Sequence, residues 1–208
     1  MKTRAAVPKR RRVVKPADDR RRELLDAAAS VFARRGFQGA SVAEICDAAG
    51  VAKGTFYVYF DSKEHLLGAL KQRHADDMLR ITTAYLERVG SDDFWALADA
   101  MVQAIIDKEL ENTDMVQVLC QEGFGSASDV FAVAARTMRD MVARGITTGV
   151  DAGVFSCADP VMTATLLINA VRGTVETTVL YERRVNRRRL IASAQELVRK
   201  TLAPASSS

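Results

Sequence analysis

A chain of 208 residues, 48% apolar and 27% charged with a net charge of +4, has the composition of a soluble globular protein, in one domain or two small ones. No apolar run approaches the roughly 20 residues that a membrane-spanning helix needs. The basic N-terminus lacks the apolar segment of a secretory signal, so a cytoplasmic location with no membrane partner is expected. Cys46, Cys120 and Cys157 are odd in number and widely spaced, which fits neither a disulfide framework nor a zinc-ligand set.

The charge is unevenly spread. Residues 1–62 hold thirteen Lys or Arg against seven Asp or Glu, whereas residues 63–208 hold seventeen against nineteen. Such asymmetry points to a polyanion meeting one end of the molecule, and nucleic acid is the commonest one.

Residues 1–16 carry seven basic side chains and no acid, and read as a disordered arm able to track phosphates or enter a minor groove. From Pro16 the pattern becomes helical: Leu24, Leu25, Ala28, Val31 and Phe32 share one face, with Asp18 or Asp19 as cap and Gly36 as stop. Ser41 followed by Glu44 forms a capping-box pattern ahead of Val42, Ile45, Cys46 and Ala49, a short second helix ending near Gly50. A third short helix is expected over 51–60, and a long fourth from Lys63 to about Val89. Further helices are expected at about 92–110, 113–124, 127–149, 159–182 and 187–202, divided by Gly, Ser, Asn and Asp-Pro punctuation. The fold class is all-α.

Two short helices joined at Gly50 form a bihelical unit of the kind that presents its second helix to the major groove. In that second helix Phe56 and Phe60 lie four apart and can pack inward, leaving Lys53, Thr55, Tyr57 and Tyr59 mostly outward. A lysine, a hydroxyl and two phenols beside the bare backbone of Gly54 suit close approach to sugar-phosphate and base edges.

The ordered run Gly36-Phe37, Ser41-Val42, Ile45-Cys46, Ala48-Ala49-Gly50-Val51, Gly54 to Phe60 and Lys63-Glu64 resembles the DNA-binding region of the tetracycline-repressor (TetR) family of bacterial regulators. That resemblance implies an N-terminal three-helix, helix-turn-helix domain over 17–62. A helical effector-binding and dimerisation domain would follow over 63–204, with a flexible tail at 205–208. It also implies phosphate contacts from Thr55, Tyr59 and Lys63, base-edge contacts from Lys53 and Tyr57, and Ser41 and Val42 seating helix two against the backbone. The implied function is that of a repressor binding a palindromic operator in double-stranded DNA as a homodimer and released by a small, largely apolar effector.

For the dimer, Ala164, Ile168, Val171 and Val175 on the eighth helix, with Leu190, Ala194 and Leu197 on the ninth, are the expected interface. For the effector, Trp95, Met101, Met115, Leu119, Phe124 and Met138 offer adaptable apolar lining, with Asn169 and Arg172 as polar contacts. An enzyme lacks its parts. His65 and His74 are nine apart, on opposite faces of one helix, and no nucleophile elbow, phosphate loop or zinc set accompanies them. No catalytic residue, metal or cofactor is therefore expected. The alternative is a redox-responsive DNA-binding regulator using Cys120 or Cys157, because a thiol among basic groups becomes a reactive thiolate.

Overall fold

The structure, a computed structural model, describes residues 17–89, 93–122, 130–182 and 184–204. The basic arm, Phe124 and the C-terminal tail lie outside these residues. The described residues form nine α-helices: α1 Ala17–Gly39, α2 Val42–Ala49, α3 Lys53–Tyr59, α4 Lys63–Leu86, α5 Phe94–Glu111, α6 Thr113–Glu122, α7 Val130–Asp151, α8 Pro160–Tyr181 and α9 Arg187–Leu202.

Each start has a chemical cause. Ser62 caps α4, Asp93 caps α5, Asp159 caps α8 ahead of Pro160, and Asn186 caps α9, each accepting from a backbone N–H in the first turn. The stop expected at Gly36 is a break inside α1: its φ of 70° and ψ of 160° leave the helical region, and a further turn follows to Gly39. Helix α2 ends on the left-handed Gly50 (φ 64°), the turn that redirects the chain into α3.

Two hydrophobic clusters organise the molecule. The first joins Leu24, Leu25, Ala28 and Phe32 of α1 to Ile45, Phe56, Phe60, Leu66 and Leu70, and also takes in Met115, Val118 and Leu119 of α6. The three-helix unit is thus completed by the first half of α4 and one face of α6, and its core continues past residue 62. The second cluster is built from α5, α7, α8 and α9 around Ile106, Ala143, Ile146, Ala164, Val175, Ile191 and Val198.

Helix α4 links the two, packing on α1 at one end and along α7 at the other. Arg73 of α4 reaches Asp26 of α1 at 2.7 Å. At the far end of the body, α7 passes so close to the following turn that a Cβ on Gly149 would lie 2.2 Å from the Phe155 ring. The ring is wedged edge-on against Phe94 and Trp95 and has nowhere to go. Gly149→Ala is therefore expected to lose about 1–3 kcal/mol through overpacking. Thermal unfolding should then show a midpoint several degrees lower, whereas an unchanged midpoint would mean that the ring can yield.

Candidate nucleic-acid interface and effector cavity

The reader is built from the inside out. Phe56 and Phe60 are almost fully buried, in ring contact with each other at 5.8 Å, and pin α3 to the first core. Fixing that face leaves the other to solvent. Lys53 and Gly54 are exposed, Tyr57 is 51% exposed, Val58 is 75% exposed, and Thr55 and Tyr59 are half-buried at the edges.

Tyr57 stands edge-on to Phe56 at 5.2 Å, which holds its ring upright on the surface and leaves the phenol free. Tyr59 packs partly against the first core. Val58 was visible in the sequence only as part of the family run. Its exposure adds an apolar tip beside Tyr57, able to meet the methyl group of a thymine.

Helix α2 supports this face. Ser41 Oγ accepts from the Glu44 backbone N–H at 3.2 Å, while Glu44 Oε2 accepts from the Ser41 N–H and hydroxyl, each at 2.9 Å. These bonds hold the Glu44 carboxyl below its ordinary value of 4.5, with Arg35 and Arg34 contributing to the same effect. Lowering the folded-state pKa means that the cap's contribution is present at neutral pH and fades as pH falls through the lowered value. Ser41→Ala should cost about 1 kcal/mol at pH 7. Measured by thermal unfolding, the difference from the parent should shrink in acid below the usual carboxylate range; a pH-independent difference would show that the box does not titrate. Val42 is half-buried at the start of α2.

Lys63 is placed differently from the phosphate anchor that the family resemblance implies. Its ammonium donates to the carbonyl oxygens of Phe37 at 2.6 Å and Ala40 at 2.8 Å, and lies 4.5 Å from the centroid of the Phe37 ring. Carbonyls released where α1 breaks and ends claim the charge. Lys63 here fastens the start of α4 to the end of α1.

The body holds a cavity of about 320 Å³ lined by α4, α5, α6, α7 and α8. Met101, Leu119, Met138, Asn169 and Arg172 all line it. Trp95 and Met115 do not. Trp95 stacks against Phe155 and under the Arg199 guanidinium, while Met115 turns to the first core. Helix α6 has two working faces, and a sequence stripe does not say which partner each one meets.

Sequence reading missed the cavity's polar groups on α4 and α5. His74 Nε2 lies 3.3 Å from Glu109 Oε1, both side chains at least nine-tenths buried. A signal existed: His74 sits in the i+4 register of the buried face Leu66, Leu70, Met78 and Thr82, where a polar side chain needs a partner. On α8, Arg172 lies 3.6 Å from Glu176 and donates to Asn169 at 3.0 Å.

The expected dimer residues are mostly core. Ala164 is fully buried, and Val175, Leu190 and Ala194 are buried in the second cluster; Ile168 and Val171 are half-buried and line the cavity. Of the seven, only Leu197 is exposed. The outer face of α8 is a different stripe, Met162, Leu166, Ala170, Thr177 and Tyr181, flanking the small Gly173. Both faces of α8 are apolar, and periodicity alone did not tell which one the body claims.

The cysteines do not have the environment of a redox sensor. Burial pushes the Cys120 thiol up, and Glu176 and Glu109 add to this against the opposing Arg172; burial also pushes up Cys46. Cys157 rests 3.1 Å from the Thr163 hydroxyl.

Residues 24–70 match the family described as bacterial regulatory proteins, tetR family. By its reader, the chain belongs to the tetR family. The curated relatives agree: the transcriptional repressor KstR2 of Rhodococcus jostii is 45% identical over 94 residues, covering 42% of this chain and 45% of that protein. The transcriptional activator FasR of Mycolicibacterium smegmatis is 43% identical over 81 residues, 36% of this chain and 37% of that one. The chain thus spans less than half the length of either relative.

Solved structures extend the likeness in fold to the body. The fatty acid degradation regulator FadR of Bacillus halodurans superposes with a TM-score of 0.74 at 19% identity, covering 86% of this chain and 94% of that one. The ketosteroid regulator KstR2 of Mycobacterium tuberculosis gives 0.70 at 21% identity over 89% and 96%. Among the described residues, no helix is long and apolar enough to cross a membrane.

Proposed function

We propose that this tetR-family chain is a ligand-responsive transcriptional regulator, a repressor that grips a palindromic operator as a homodimer and lets go when a small, largely apolar molecule fills its cavity. The observation that carries the reading is the outward face of α3, where Lys53, Tyr57 and Val58 stand clear of the protein on a phenylalanine-anchored helix. Residues 17–62 supply the reader and 63–204 the effector and dimer functions, in the cytoplasm where the operator lies. Lys53 and Tyr57 read base edges, while Thr55, Tyr59 and the Ser41 end of α2 meet the backbone, which fixes register without carrying sequence information.

The dimer forms through the outer stripe of α8 around Leu166, with Leu197 of α9 beside it, because this is the large apolar face that the body leaves uncovered. Release works through two helices. Leu119 of α6 belongs to the reader's core and also lines the cavity, and α4 carries His74 in the cavity wall and Lys63 at the reader. A ligand that prefers a shifted arrangement of α4 and α6 changes the spacing of the two reader helices and lowers operator affinity by that difference. An apolar effector is in keeping with the FadR of Bacillus subtilis, which was solved with stearoyl-CoA.

Selecting bound fragments from genomic DNA with the full chain tests the reading. A palindrome with half-sites about one helical turn apart, some 34–36 Å, is expected. Selection of no common sequence would refute it.

A further inference from the structure

The cavity has two chemically different ends. His74 lies twelve residues before Leu86 on α4, about 18 Å along the helix, and Glu109 lies fifteen after Phe94 on α5, about 22 Å. Because His74 meets Glu109, α4 and α5 run antiparallel, and Leu86 and Phe94 share the far end with Phe155. That end is wholly apolar. The near end, beside Leu119, gathers the His74–Glu109 pair and the Arg172–Glu176 pair.

At the near end, each carboxylate already stands against a nitrogen base or guanidinium, so the group is neither a free cation site nor a free anion site. A ligand carboxylate brought there would face Glu109 and Glu176 and would have to displace one of them from its partner, leaving a buried charge uncompensated. A hydroxyl or carbonyl brings no charge. Its oxygen can accept from the histidine or guanidinium, and a hydroxyl can also donate to a carboxylate oxygen.

The geometry points to an effector with an extended apolar body and a neutral oxygen function, an alcohol or ketone, at the end held by His74 and Glu109, and against one with a free carboxylate there. This rests on the effector reading above and names its ligand class. Only the hydrogen-bonding end distinguishes candidates of equal length; the apolar end contributes area.

The test uses the full chain with 1-decanol and decanoate, probes of one chain length that differ at the head. Titration calorimetry should show decanol binding at least tenfold more tightly. Glu109→Gln and, separately, Glu176→Gln should narrow that ratio by improving decanoate; the second variant serves if the first fails to fold. Equal or tighter binding of decanoate, binding of neither probe, or a ratio unchanged in a folded variant would overturn the inference. Operator release is read separately. Decanol that binds with the expected preference but leaves the protein on its duplex supports the ligand class and counts against effector-driven release.

Discussion

Tyr57→Ala is expected to weaken operator binding by about 1–3 kcal/mol, roughly five- to 150-fold, and to relax preference at the base pairs it approaches. The ring is half exposed and held only edge-on by Phe56, so its removal opens no cavity and the variant should stay folded. Tyr57→Phe separates two contributions: it keeps the apolar ring and removes only the hydroxyl. Lys53→Ala should behave like Tyr57→Ala if the lysine reads bases, with a loss that depends on duplex sequence; a uniform loss across sequences would make it a phosphate contact. Measured by fluorescence anisotropy on selected and scrambled duplexes, an unchanged affinity in Tyr57→Ala would remove α3 as the reader.

The second large effect concerns assembly. Leu166 is 63% exposed in the protomer and lies at the middle of the outer α8 stripe. A glutamate there touches nothing in the protomer, so stability should change by no more than about 0.5 kcal/mol. In the dimer the two copies would place like charges in an apolar interface. Mass measurement in solution should show a folded monomer. Because two linked readers gain about 10²–10⁴ over one, operator affinity should fall by a comparable factor. Ala164→Glu makes the contrast, since that side chain is fully buried and the change should unfold the body instead. A Leu166→Glu protein that remains dimeric would place the interface elsewhere.

The reader was legible from sequence because its determinants are local. The Ser41–Glu44 box, the left-handed Gly50 and the four-residue spacing of Phe56 and Phe60 are each settled within one turn of chain. Lys63 was less legible, since its ammonium is held by carbonyls twenty-three and twenty-six residues away. The same limit explains the body. Helix positions are written in caps and periodicity, but α8 is apolar on both sides, and only the packing of α7 and α9 decides that Ala164 and Val175 go inward while Leu166 goes out. Trp95 and Met115 fit any apolar contact, so composition could not assign them to the cavity, whereas His74 carried an unused clue in its buried register.

The claim that this chain reads duplex DNA is tested most directly by titrating the full protein onto a selected duplex and a scrambled one across a range of salt concentrations. Binding should weaken linearly in log–log terms, by about 0.9 log unit per log unit of salt for each phosphate neutralised, with the selected duplex preferred by about a thousandfold or more. Equal affinity for both duplexes, or an affinity indifferent to salt, would contradict it.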